Sequence, residues 1–132
     1  MIMVLANSVL TAIDCDDPVS LANFYARIIG GKIHEFEFGA SGESGWVEIR
    51  EGEVRLLALQ KVPDYQPPTW PSGGLPQQMH LDFQVEDLNV GEEFVLSIGA
   101  VKCQVQPGGT FRVFLDPAGH PFCLVIPGAL SE

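Results

Sequence analysis

Met79-His80-Leu81-Asp82-Phe83-Gln84-Val85 alternates without a break. Met79, Leu81, Phe83 and Val85 fall on one side, His80, Asp82 and Gln84 on the other. A period of two over seven residues predicts a half-buried β-strand over 79–85. The apolar side needs a cover, and the next residues supply a helix over about 88–98. Asp87 is placed to cap it, Glu92 and Glu93 come early, and Phe94, Val95 and Ile98 form its buried stripe.

The same plan stands 70 positions earlier. Val9-Leu10-Thr11-Ala12-Ile13-Asp14-Cys15 lies against Met79 to Val85, then Asp17 against Asp87, Phe24 against Phe94 and Ile28 against Ile98. A cap, an aromatic and an aliphatic residue all keep the offset, so we read an internal duplication of one strand–helix unit.

The rest of the chain fits two such units. Strand one is expected at about 8–15. Asp17-Pro18 places a cap before a proline at the first helical position, helix one follows over about 18–29, and Gly30-Gly31 ends it. Ile33 to Phe38 reads as a second strand, Gly39 to Gly45 as a turn, and Trp46 to Arg50 and Val54 to Gln60 as a hairpin. Lys61 to Gln78 holds five prolines and Gly73-Gly74, a density that leaves no regular element. This is the connection between units, and its Tyr65 and Trp70 either cover a pocket or anchor the loop. After the strand at 79–85 and the helix at 88–98, further strands are expected near 101–106, 111–115 and 121–126. Asp116-Pro117-Ala118-Gly119-His120 makes the last turn. The fold class is therefore α+β, with two βαβββ modules at about 8–60 and 79–127 in one domain of 132 residues.

Composition narrows the partners. Hydrophobic residues make up 46 %, too many for a disordered chain. Seven basic against seventeen acidic residues give 7 − 17 = −10, which argues against nucleic acid and suits a cationic ligand, or plain solubility. Three cysteines without CxxC spacing fit a reducing cytoplasm rather than a disulfide framework. The apolar start lacks a basic segment, so no signal peptide is expected, and no apolar run is long enough to span a bilayer.

The duplicated unit, His80 on the first strand of the second one, and Phe114-Leu115-Asp116-Pro117-Ala118-Gly119-His120-Pro121-Phe122 before the last strand resemble the vicinal oxygen chelate superfamily. That superfamily takes in glyoxalases, extradiol dioxygenases and bleomycin-resistance proteins. The resemblance covers nearly the whole chain and is nearest to small glyoxalase-like proteins. It implies strands curled into cups around one cavity with helices outside, and it implies a homodimer. It does not name an activity, because one fold hosts many chemistries.

Metal-dependent relatives take ligands from the first and last strand of each module. The resemblance puts Leu10, Leu56, His80 and Cys123 at those positions, with Leu56 against Cys123 when Gly52 is laid on Gly119. Leucine has no lone pair to give, so no catalytic metal is expected unless a carboxylate such as Glu48 or Asp82 is borrowed to join His80.

His80 is the best candidate for an acid–base role. The other reading, a polar residue of the pocket wall, is the one the sequence favours. His120 reads as a turn residue, and Cys123 as a buried small side chain rather than a nucleophile. Arg112 either enters the cavity or pairs with an acid on the surface. Two functions follow. One is a metal-free cup lined by Leu10, Leu56, Trp70, His80, Asp82, Arg112 and Cys123 that binds a small, partly aromatic molecule. The other is a lyase, isomerase or dioxygenase with a divalent metal at His80.

Overall fold

The computed structural model describes residues 3–38 and 43–128. Most of the turn expected over 39–45 lies outside them. The chain forms two compact units, Met1–Tyr65 and Gln66–Glu132, and the greater part of the proline-rich connection belongs to the second.

The first unit holds β1 (Ala12–Cys15), α1 (Pro18–Ile29), β2 (Lys32–Phe38), β3 (Glu43–Glu51) and β4 (Val54–Lys61). Its sheet runs β1-β4-β3-β2, with β1 parallel to β4 and the other pairs antiparallel. The Asp17 carboxylate accepts the Ser20 N–H at 3.1 Å and starts α1, with Pro18 in its first turn. Leu21, Ala22, Phe24 and Tyr25 are buried along one side of the helix, and Ile28 is half-buried. The helix packs on β3 and β4, where Val47, Ile49, Leu57 and Leu59 are buried. Burying each such aliphatic side chain contributes about 1.5–3 kcal/mol.

The β3–β4 ladder slips once. Ile49 pairs with Leu57 but Arg50 pairs with Arg55, so Leu56 is the extra residue of a bulge. A Cβ built on Gly31, whose φ is +89°, would lie 3.2 Å from Leu56 Cδ1 and 3.0 Å from Ile49 Cγ2. Leu56 therefore sits beside a residue of the helix-covered face.

The second unit holds β5 (Leu81–Gln84), α2 (Leu88–Ser97), β6 (Val101–Lys102), β7 (Phe111–Leu115) and β8 (Pro121–Val125). Its sheet runs β5-β8-β7-β6, the same order as the first, with β5 parallel to β8. Asp87 Oδ1 accepts the N–H groups of Asn89 and Val90 and caps α2. Leu124 faces this helix: a Cβ on Gly91 would come within 3.0 Å of its Cδ1.

Four expectations need correction. The strand expected at 8–15 begins only at Ala12. The strand expected over 79–85 is shorter, and Met79 is 79 % exposed. Leu81 pairs with Phe122, and the next residue back on β8 is Pro121, which has no N–H to extend the ladder. The strand expected near 101–106 ends at Lys102, and the Gln106 side chain takes its place. Gln106 Nε2 donates to the carbonyls of Cys103 and Val113, and Oε1 accepts the Val113 N–H. Phe94 is 39 % exposed, and Val95 alone of the expected α2 stripe is buried.

The last turn is held by Asp116, buried among its own backbone. One oxygen accepts the N–H groups of Ala118 and His120 at 2.8 and 3.0 Å. His120 is thus a turn residue, as read from the sequence. Among the described residues, no helix is long and apolar enough to cross a membrane.

Candidate functional site

Strand register assembles one face of the second sheet. Asp82 pairs with Cys123, Cys123 with Val113, and the Cys103 N–H donates to the Val113 carbonyl. Side chains opposite one another in a ladder share a face, so Asp82, Cys123, Val113 and Cys103 form one row. Two residues along, Gln84, Val125 and Phe111 form the next. Val113, Cys123 and Val125 make a buried apolar floor, and Trp70, Cys103 and Phe111 pack against it. The Trp70 loop is pinned near its base, where the Thr69 N–H donates to the Leu75 carbonyl and the Leu75 N–H to Thr69 Oγ1. Trp70 is therefore both an anchor and part of this face.

At the edge of the floor, His80 Nε2 lies 3.2 Å from Asp82 Oδ1. A donor atom from each of His80, Asp82 and Cys123 lies within 4.8 Å of the others. His80 and Asp82 are 42 % and 35 % exposed, whereas Cys123 is buried. Burial pushes the Cys123 thiol up to about 12, and the Asp82 carboxylate, by charge and hydrogen bond, and Cys103 push the same way. At neutral pH the thiol keeps its proton, so Cys123 is no nucleophile.

Other sequence candidates are not brought here. Arg112 pairs with Leu124 on the opposite face, and its guanidinium bonds Glu92, Asn89 and the Leu88 carbonyl of α2. It closes a surface charge group with Lys102, whose Nζ lies 2.9 Å from Glu92. Leu56 leaves the expected position through the bulge. By register Ala12 faces Ala58 as Asp82 faces Cys123, so Ala58 is the counterpart of Cys123. Leu10 is half-buried just before β1. Glu48 is engaged by Trp46, Arg50 and Arg55 within the first unit. Phe111 and Cys103 are lining residues the sequence reading missed. The signal available was their spacing of two from Val113 and of one from Lys102.

A family model described as a glyoxalase-like domain matches residues 11–125, the span of both units. The chain belongs to the glyoxalase-like domain family. Its fold is that of the vicinal oxygen chelate superfamily, built here as two four-stranded mixed sheets that do not close. A glyoxalase family protein from Enterococcus faecalis is similar over 90 % of this chain and 97 % of its own, at 18 % identity and a TM-score of 0.65. A fosfomycin resistance protein from Listeria monocytogenes is similar over 97 % and 98 %, at 13 % identity and 0.66. An antibiotic-binding protein from a Streptomyces species is similar over 95 % and 98 %, at 20 % identity and 0.55. No curated protein sequence matches the chain significantly.

The superfamily implies a metal in some members, and the donors here meet that requirement in part. His80, Asp82 and Cys123 offer nitrogen, oxygen and sulfur, a set that suits zinc. Neither Leu10 nor Ala58, at the corresponding places of the first unit, has a donor atom.

Proposed function

We propose that this glyoxalase-like protein binds a small aromatic cation on the face of its second sheet, without a resident metal. The observation that carries the reading is the Asp82 carboxylate, steadied by His80 at 3.2 Å, beside a floor of Val113, Cys123 and Val125 bordered by Trp70 and Phe111. An apolar floor with one placed charge is the usual composition of a ligand site. An aromatic wall adds cation–π attraction. The net charge of −10 raises the local concentration of cations. The antibiotic-binding and fosfomycin-resistance relatives support a role in handling small molecules.

Benzamidinium is a suitable probe. It should shift the indole N–H signal of Trp70 saturably, and Asp82→Asn should weaken it about tenfold, the worth of one charge-assisted hydrogen bond. An unchanged affinity in Asp82→Asn, or no shift at Trp70, would sink the proposal.

The three clustered donors favour a second reading, a divalent cation on His80, Asp82 and Cys123. When bound, such a cation would supply Lewis acidity. The thiol counts against it. Burial and the neighbouring Asp82 carboxylate push it up to about 12, so a cation would have to displace a firmly held proton. Protein purified without chelator or metal-affinity tag should carry far less than one metal atom per chain. Stoichiometric zinc or nickel that is lost in His80→Ala would put the enzyme reading first.

We further propose a cytoplasmic homodimer. The three cysteines are free thiols, which suits a reducing compartment, and Val54, Val101 and Val105 leave apolar side chains exposed. Light scattering giving the monomer mass at high protein concentration would count against the dimer.

A further inference from the structure

The first sheet carries, on the face away from α1, a group of side chains that the proposed ligand face does not use. The register of β2, β3 and β4 sets cross-strand rows there: Lys32, Arg50 and Arg55, then His34, Glu48 and Ala58, then Phe36 and Trp46. Three of the seven basic residues of an acidic chain thus share one row. The bulge at Leu56 shifts the alternation of β4, and Arg55 Nη1 reaches to 3.7 Å from Glu48 Oε2.

Glu48 is 4 % exposed and lies at the centre. It accepts the Trp46 indole N–H at 2.8 Å and the Arg50 Nε–H at 2.7 Å. Those two donors supply its hydrogen bonds, while Arg55 reaches it only by charge, at 3.7 Å, and stays 46 % exposed. Arg50 is fixed twice, by Glu48 on one edge and by the Phe36 ring, whose centroid is 5.3 Å from its central carbon. Its side chain remains 32 % exposed, and its Nη1 has no partner among the described residues. A guanidinium held flat with donors to spare is pre-organised for a planar oxyanion.

We infer that this group is a binding site for a small aromatic carboxylate. Arg50 donates to the carboxylate, Lys32 and Arg55 supply field, and Trp46 and Phe36 offer flat apolar surface to the ring. The overall charge of −10 does not forbid this. At physiological ionic strength exposed charges are screened beyond about 8 Å, so these three cations, only one of them offset by Glu48, set the local sign of charge. It selects the opposite charge to the one proposed for the face of the second sheet.

Benzoate tests it, read on the indole N–H signals of both tryptophans. Benzoate should shift the Trp46 signal saturably in the millimolar range and leave Trp70 unmoved, while benzamidinium should leave Trp46 unmoved. The double variant Lys32→Gln, Arg55→Gln spares the Trp46 and Arg50 bonds to Glu48 and should weaken benzoate several-fold. Arg50→Lys keeps the charge but loses the fork, and should weaken it about tenfold. The inference is overturned if Trp46 shows no saturable shift, if chloride at matched ionic strength gives the same shift, or if the double variant binds benzoate as tightly as the parent. Because the two sites report on different tryptophans, failure here leaves the Trp70 result standing, and the reverse.

Discussion

Phe122→Ala is expected to lower the stability of the protein by about 3–5 kcal/mol, the usual cost of emptying a buried phenylalanine site. Phe122 has no solvent exposure. Its ring stacks on Phe114 with centroids 5.6 Å apart and meets Phe83 edge-on at 5.8 Å. It stands on β8, which pairs with both β5 and β7, so the void would open at the centre of the second unit's sheet. The three rings lie on three adjacent strands and cannot all move in to fill it. Whole domains are stable by only about 5–15 kcal/mol, so this loss is a large fraction of the total. Urea titration gives the size, and hydrogen exchange should show β5, β7 and β8 losing protection together. Leu56→Ala is the control: Leu56 is 36 % exposed, and its truncation should cost less than about 1 kcal/mol. Equal losses in the two variants would mean that the aromatic stack is not the core of the unit.

The stack also shows what the sequence makes legible. Alternation in 79–85 tells that Leu81 and Phe83 share a face and that His80 and Asp82 share the other, and both pairs do. The helix caps were readable because Asp17 and Asp87 each precede an apolar stripe, and their carboxylates accept the first free N–H groups. The arrival of Cys123 beside Asp82 was suggested by the family resemblance, but the pairing itself is a matter of register between strands 40 residues apart. The position of Leu56 depended on register too, and one extra residue in β4 moved it. Arg112 was readable in part. It stands two residues from Phe114, so the two share a face, and Arg112 reaches α2 instead of the Trp70 face. The Glu48 group was the larger omission. Trp46, Glu48 and Arg50 at spacing two announce a shared face, but the contribution of β4 to it required the bulge.

Glu48→Gln is expected to destabilise the protein by about 1–3 kcal/mol at pH 7, the penalty for losing charged hydrogen bonds at a buried position. The loss stays below the 3–5 kcal/mol seen when a fully buried pair is broken. Arg50 and Arg55 are 32 % and 46 % exposed, so water can reach them once the carboxylate is gone. The pH dependence is the sharper part. Burial alone would push the Glu48 carboxyl up. The hydrogen bonds from Trp46 and Arg50, with the charges of Arg50 and Arg55, outweigh burial and hold it below its usual 4.5. A depressed carboxyl binds its proton less readily in the folded chain than in the unfolded one, so its contribution is complete above 4.5. It is lost as the pH falls through the folded value. The gap between wild type and Glu48→Gln should therefore be constant from neutral pH down to about 5 and close below 4.5. Glu92 is also held low, chiefly by the hydrogen bond from Lys102, but it is common to both proteins and cancels from the difference. Urea titrations of the two proteins between pH 7 and 3 measure that gap. A gap that widens as the pH falls would show that the buried carboxylate opposes folding, and that Arg50 is held in place by Phe36 rather than by Glu48.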